Sequence, residues 1–164
     1  MKFLEVKSYQ ESVSCGPAVL KMILDFYEIK KTEAELAKIA GTTKKEGTEI
    51  VQLKKVFKYF GFKVKTKVNS TYEDLQSNLS KNIPVIVGWY TKGKQSDPEN
   101  MTADGHYSVV IGLDKKFVYL QDPEIGKIRK LKREDFLIVW LDYFGEYPKT
   151  KKDIFLRPSM AVYK

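Results

Sequence analysis

The sequence predicts an α+β fold, and three observations carry that reading. Apolar residues recur at helical spacing through residues 15–60, two-residue alternation takes over after Gly61, and the later strand-like runs are divided by turn residues. Helices first and strands second describe an α+β domain rather than a βαβ wrap. A chain of 164 residues is expected to form a single domain over residues 1–164 and to bury a core without staples.

The elements follow in order. Val19, Leu20, Ile23, Leu24 and Tyr27 form a helical stripe, and Pro17 suits a first turn, so this helix begins at or just after Cys15. Thr32 with Glu35 reads as a capping box opening TEAELAKIA, which Gly41 ends. Gly47-Thr48 introduces a third helix, EIVQLKKVFKYF, stopped by Gly61. FKVKTKV then alternates as a strand with one face in water, and Ser70 with Glu73 offers a cap for a short helix through Leu79. IPVIVGWY, HYSVVIGLD, KFVYLQD and KIRKL read as strands, the first of them buried. Residues 91–105, TKGKQSDPENMTADG, are polar and rich in breakers, which marks a long surface loop. REDFLIVWLDYF fits helix or strand, and IFLRPSMAVY reads as a final strand.

Composition removes several functions. One cysteine excludes an internal disulfide framework and a zinc site built on several cysteines. With one histidine besides, a metal would have to rest on carboxylates, and no spaced acidic cluster suggests one, so neither metal nor cofactor is expected. The N-terminus lacks an apolar signal region and no segment approaches membrane-spanning length, which points to a cytoplasmic protein with no membrane span. The net charge of +8 raises the question of nucleic acid. Only Arg129, Arg133 and Arg157 are arginines, and dispersed lysine solubilises a surface more often than it reads bases, so no specific nucleic-acid partner is expected.

The chemistry gathers at single residues. Cys15, the one cysteine, stands in QESVSCGPA at the mouth of a helix, where the positive end of the macrodipole favours a thiolate. Gly16 lets backbone approach closely, and N–H groups at the helix start can donate to a developing oxyanion. His106, the one histidine, opens the strand after the long loop, and Asp122 closes the next strand. A hairpin in which Gly112 faces Lys116 sets His106 directly opposite Asp122, close enough for the carboxylate to fix the ring's tautomer. Gln10, five residues before the cysteine, can add a side-chain donor. Nucleophile, base, orienter and oxyanion donor are each present once.

QESVSCGPAVLKMIL resembles the cysteine box of the C39 family of papain-like cysteine peptidases, HYSVVIG its histidine box and LQDP its Asp-Pro box. The resemblance spans residues 10 to about 123, in the family's order Gln, Cys, His, Asp. It implies the papain-like fold, N-terminal helices packed on a C-terminal antiparallel sheet, with Cys15 as nucleophile, His106 as general base and acid, Asp122 as orienter and Gln10 as oxyanion donor. The family's glutamine stands six residues before its cysteine, one more than here. Many members are exporter domains that clip a leader after a Gly-Gly pair, and without spans or an ATPase region here the resemblance does not bring that substrate class with it.

The implied function is a thiol hydrolase, a peptidase acting on peptide or protein through an acyl-enzyme, and the same machinery serves a transpeptidase or deamidase. A non-catalytic peptide-binding module on the same fold is the alternative, and a basic nucleic-acid-associated protein with a coincidental Cys/His pair the third. Trp89 and Tyr90 lie at the base of the loop that abuts His106 and line either core or cleft.

Overall fold

The computed structural model describes residues 3–7, 14–43, 47–91, 104–143 and 148–164. Helix α1 (Cys15–Phe26) fully buries Val19, Leu20, Ile23 and Leu24, the stripe its spacing marks out. Helix α2 (Glu33–Ala40) is opened by the reciprocal Thr32–Glu35 box and closed by Gly41 at φ 70°. Helix α3 (Ile50–Tyr59) starts with the Gln52 side chain accepting the Glu49 N–H at 2.6 Å, and Gly61 at φ 83° turns the chain out of it.

From there the chain forms β1 (Lys63–Lys67), α4 (Tyr72–Leu79), β2 (Val85–Thr91), β3 (Asp104–Leu113), β4 (Phe117–Asp122), β5 (Lys127–Lys132), α5 (Arg133–Val139), β6 (Leu141–Tyr143), β7 (Ile154–Leu156) and β8 (Ser159–Tyr163). Six strands make an antiparallel sheet in the order β1-β8-β2-β3-β4-β5, while β6 and β7 pair as a separate ribbon. The α+β expectation holds.

Alternation along the strands divides the core between the two sheet faces. Ile86, Tyr107, Val109 and Ile111 pack against α1, α2 and α3. Val85, Val87, Trp89, Val110, Val118 and Leu120 pack against Leu75 of α4 and Phe136 of α5, with Trp140 beyond. No helix among the described residues is long and apolar enough to cross a membrane.

Four local expectations change. Helix α4 is capped by Thr71 and Asp74, one residue beyond the expected pair, because Ser70 is fully buried with its hydroxyl 2.7 Å from that of Ser159. The segment after Lys132 is helix and then strand, since Phe136 and Trp140, four apart, both bury before β6 begins. The tail is two strands: Arg157 at φ 47°, followed by Pro158, turns the chain from the ribbon into the sheet. Thr91, Asp104 and Gly105 belong to strands, and the rest of the expected loop, residues 92–103, lies outside the described residues.

Leu24 is fully buried and Leu137 is 47% exposed. Urea unfolding should therefore show Leu24→Ala losing about 2–5 kcal/mol and Leu137→Ala within about 0.5 kcal/mol of wild type.

Candidate active site

Cys15 is the first residue of α1, a half-buried free thiol. Ser14 stays extended at φ −145°, and the Pro17 ring falls within the first four residues, where a missing N–H breaks no helical bond. The positive end of a twelve-residue helix is thus directed at the sulfur. Gly16 explains how this turn is seated. A Cβ there would lie 2.3 Å from Oγ1 of Thr48, a buried residue whose hydroxyl is 2.7 Å from that of Thr42. The close approach that glycine allows is taken by the connection between α2 and α3.

His106 sits on β3 opposite Trp89 of β2, and the two rings meet edge to face with centroids 5.7 Å apart. The imidazole is 7% exposed. Its Nε2 lies 2.5 Å from Oδ1 of Asp122, which leaves Nδ1 as the nitrogen for the Cys15 thiol that hydrogen-bonds to the ring. Asp122 has no solvent exposure. Its Oδ1 also accepts the Glu124 N–H at 2.9 Å, and its Oδ2 accepts from Nε of Arg129 at 2.5 Å. Nη2 of Arg129 reaches Glu124 at 2.9 Å, and Thr91 donates to the same carboxylate oxygen at 3.3 Å.

The contact between His106 and Asp122 is made through a different register from the one expected. Asp114 accepts the backbone N–H groups of Lys116 and Phe117, each at 2.7 Å, and this turn pairs Leu113 with Val118. A bulge between Val110 and Gly112 shifts the ladder, so that Val109 pairs with Gln121. One step further along brings Ser108 level with Asp122, and His106 reaches the carboxylate diagonally from two residues away. Diagonal neighbours are about 7–8 Å apart, within range of an aromatic side chain. The displacement is two residues, so both side chains remain on one face.

The charges reinforce one another. Burial alone would lower the His106 pKa, but hydrogen bonds to Asp122 and Cys15, and their charges, lift it to about 10. Burial alone would raise that of Asp122, and His106, Arg129 and the Glu124 N–H together hold it below the usual carboxylate range. Tyr107, the next residue along β3, is pushed well above the normal tyrosine range by burial and by the charge of Asp142, to which it hydrogen-bonds. Gln10, the remaining expected site residue, lies outside the described residues.

A family model for the peptidase C39 family matches residues 4–144. The chain belongs to the peptidase C39 family. This is a family of papain-like cysteine peptidases, and the chain is 34% identical over 144 residues to the lactococcin-A transport/processing ATP-binding protein LcnC of Lactococcus lactis subsp. lactis. The match covers 85% of this chain and 18% of that protein, so the chain spans under a fifth of that curated relative. An uncharacterized protein of Methanothermobacter thermautotrophicus is 35% identical over 129 residues, covering 76% of this chain and 75% of its own. Among solved structures, the peptidase domain of Streptococcus ComA, a bifunctional ABC transporter involved in quorum sensing, superposes with a TM-score of 0.66 at 19% identity, 98% of each chain being covered. A double glycine motif protease from an AMS/PCAT transporter, solved with its leader peptide, gives 0.66 at 20% identity over 99% of this chain and 94% of that one.

In this C39 chain the structure adds residues around the thiol, ring and carboxylate that sequence reasoning passed over. Thr48 reads in the sequence only as part of the signal that introduces the third helix, and Arg129 only as one of three arginines among dispersed lysines. Trp89 falls on the core side of the alternative, 3% exposed against Phe136 and His106. His106, Asp122 and Glu124 present potential ligand atoms within 4.8 Å of one another, yet Arg129 pairs with both carboxylates and supplies the positive charge that a cation would bring.

A histidine with a higher pKa in the folded chain than its unfolded value of about 6.5 stabilises the fold below that value. The contribution is lost as pH rises through about 10. Thermal unfolding between pH 6 and pH 10 should therefore show wild type losing Tm relative to His106→Gln. Parallel curves would contradict the assigned ion pair.

Proposed function

We propose that this domain, acting as one unit over residues 1–164, cleaves peptide bonds through an acyl-enzyme carried by Cys15, His106 and Asp122. The continuous hydrogen-bond chain from thiol to imidazole to buried carboxylate supports this reading most strongly. Proton transfer to His106 yields a thiolate and an imidazolium, and the sulfur attacks the carbonyl carbon of the scissile bond. Negative charge develops on the carbonyl oxygen, which backbone N–H groups at the start of α1 and the Gln10 side chain stabilise. Collapse breaks the C–N bond as His106 protonates the departing amine, leaving a thioester on Cys15. Water then attacks that thioester with His106 as base, and the carboxylic acid leaves. Asp122 holds the ring in one tautomer throughout and balances its charge.

We read one surface depression as the path of an extended peptide. It has a volume of about 340 Å³ and is lined by Ile50, Val51, Val68 and Phe155 together with Lys54, Lys67 and Asp142, and Asp142 hydrogen-bonds to Tyr107 of β3. The likeness to a protease described by a double glycine motif and solved with a leader peptide favours a substrate carrying Gly-Gly before the cleaved bond. A reducing compartment such as the cytoplasm keeps a lone nucleophilic thiol active.

The test uses a fluorogenic peptide with Gly-Gly immediately before the leaving group. Cys15→Ala should lose at least about a thousandfold in turnover. His106→Ala should slow alkylation of Cys15 by iodoacetamide at neutral pH about tenfold or more. A Cys15→Ala protein as active as wild type would overturn the proposal.

A further inference from the structure

Arg129 occupies an unusual place for a residue on an edge strand. Its side chain is 21% exposed, and its guanidinium takes hold of two acidic groups at once, through Nε to Asp122 and through Nη2 to Glu124. Its Cζ lies over the Trp89 ring, 5.5 Å from the centroid, and Trp89 in turn meets His106 edge to face. Arg129 pairs across the ladder with Leu120, while Asp122 pairs with Lys127, so the guanidinium also arrives diagonally. Lysine dominates the basic residues of this chain, and lysine cannot do this: a point charge on a flexible stem lacks the planar fork that spans two carboxylates and stacks on an indole.

Asp122 has two oxygens and no contact with solvent. Oδ1 serves His106 and the Glu124 N–H, and Arg129 is the donor that the described residues bring to Oδ2. Without that donor a buried oxygen would be left unsatisfied, and the carboxylate would be free to rotate about its own axis. Rotation would remove Oδ1 from the ring and release His106 from a single orientation.

We propose that Arg129 is a positioning residue for the peptidase reaction, clamping Asp122 so that Oδ1 stays on His106 while Glu124 and Trp89 hold the clamp in place. This rests on the reading that Cys15, His106 and Asp122 carry the chemistry. Arg129 acts through Asp122, so its loss lowers kcat and leaves KM nearly unchanged.

The experiment compares wild type, Arg129→Gln, Arg129→Lys and Glu124→Gln in the full chain. Each is assayed for kcat and KM on the Gly-Gly fluorogenic peptide, for Tm, and for the imidazole N–H signals by NMR. The chain has one histidine, so those signals need no assignment among several rings. Arg129→Gln is expected to lose about 10- to 100-fold in kcat with KM within a factor of about two, the size of effect typical of outer partners that orient a ligand. Its downfield Nε2–H signal should broaden or vanish through exchange. Arg129→Lys should recover part of kcat and of the signal, and Glu124→Gln should show a smaller loss of the same kind, which keeps the test open if Arg129→Gln folds poorly. A lowered Tm with kcat and the N–H signal intact would reduce Arg129 to a structural clamp and overturn the inference. Absence of cleavage in wild type and in all variants, with the N–H signal still dependent on Arg129, would instead defeat the peptidase reading and leave the clamp standing.

Discussion

A carboxylate removed completely from water has to be held by other groups, and the arrangement around Asp122 follows from that requirement. Isolated ionised carboxylates are among the most costly groups to bury, and breaking a buried pair is worse than never forming one. Asp122 is therefore met by an imidazole, a guanidinium and a backbone N–H. The imidazole belongs to β3, the guanidinium to β5 and the N–H to the turn that joins β4 to β5. Three successive parts of the sheet have to be in register before the charge is compensated, and only then does the ring face the thiol at the head of α1. The bulge in β3 belongs to the same constraint, because a ladder continued from the turn without it would place His106 and Asp122 on opposite faces.

The second constraint is steric. Cys15 can be presented correctly only if the first turn of α1 is fixed, and Gly16 permits Thr48 to press directly on that turn. A similar device recurs across the sheet. Gly88 and Gly105 lack side chains where Asp142 approaches them, and a Cβ at Gly88 would stand 2.8 Å from Oδ2 of Asp142. The ribbon of β6 and β7 can thereby settle over β2 and β3 and bring Asp142 to Tyr107.

Much of this was legible in the sequence, for physical reasons that differ from part to part. The start of α1, the Thr32–Glu35 box and the stops at Gly41 and Gly61 depend on short-range hydrogen bonding and backbone sterics, so a few residues suffice to reveal them. Cys15, His106 and Asp122 were legible as a set because the chain has one cysteine and one histidine, and because the C39 motifs order them. The partners of Asp122 were not. Arg129 becomes visible only when β5 is laid beside β4, and Thr48 only when the connection between α2 and α3 is folded onto α1. The hairpin register is not legible in the sequence because the side chain of Asp114 organises a longer turn and the bulge absorbs a residue, and both effects belong to the folded ladder. Ser70 resembles a cap in sequence, and only its long-range contact with Ser159 takes it into the interior.

The order of the strands has a consequence in time. Strand β8, residues 159–163, lies between β1 and β2 and joins segments formed about 70 to 100 residues earlier. Until it arrives, Val85, Ile86 and Val87 have a neighbour on one side only, and the backbone of β2 on its other side is an open edge. Long-range pairing of this kind is slow because loop closure precedes any compensating contact. During synthesis, the thiol at residue 15 leaves the ribosome long before the strand that closes the sheet carrying His106. A nascent chain therefore carries the Cys15 thiol before the six-stranded sheet is complete, and that sheet closes only after residue 163 has emerged.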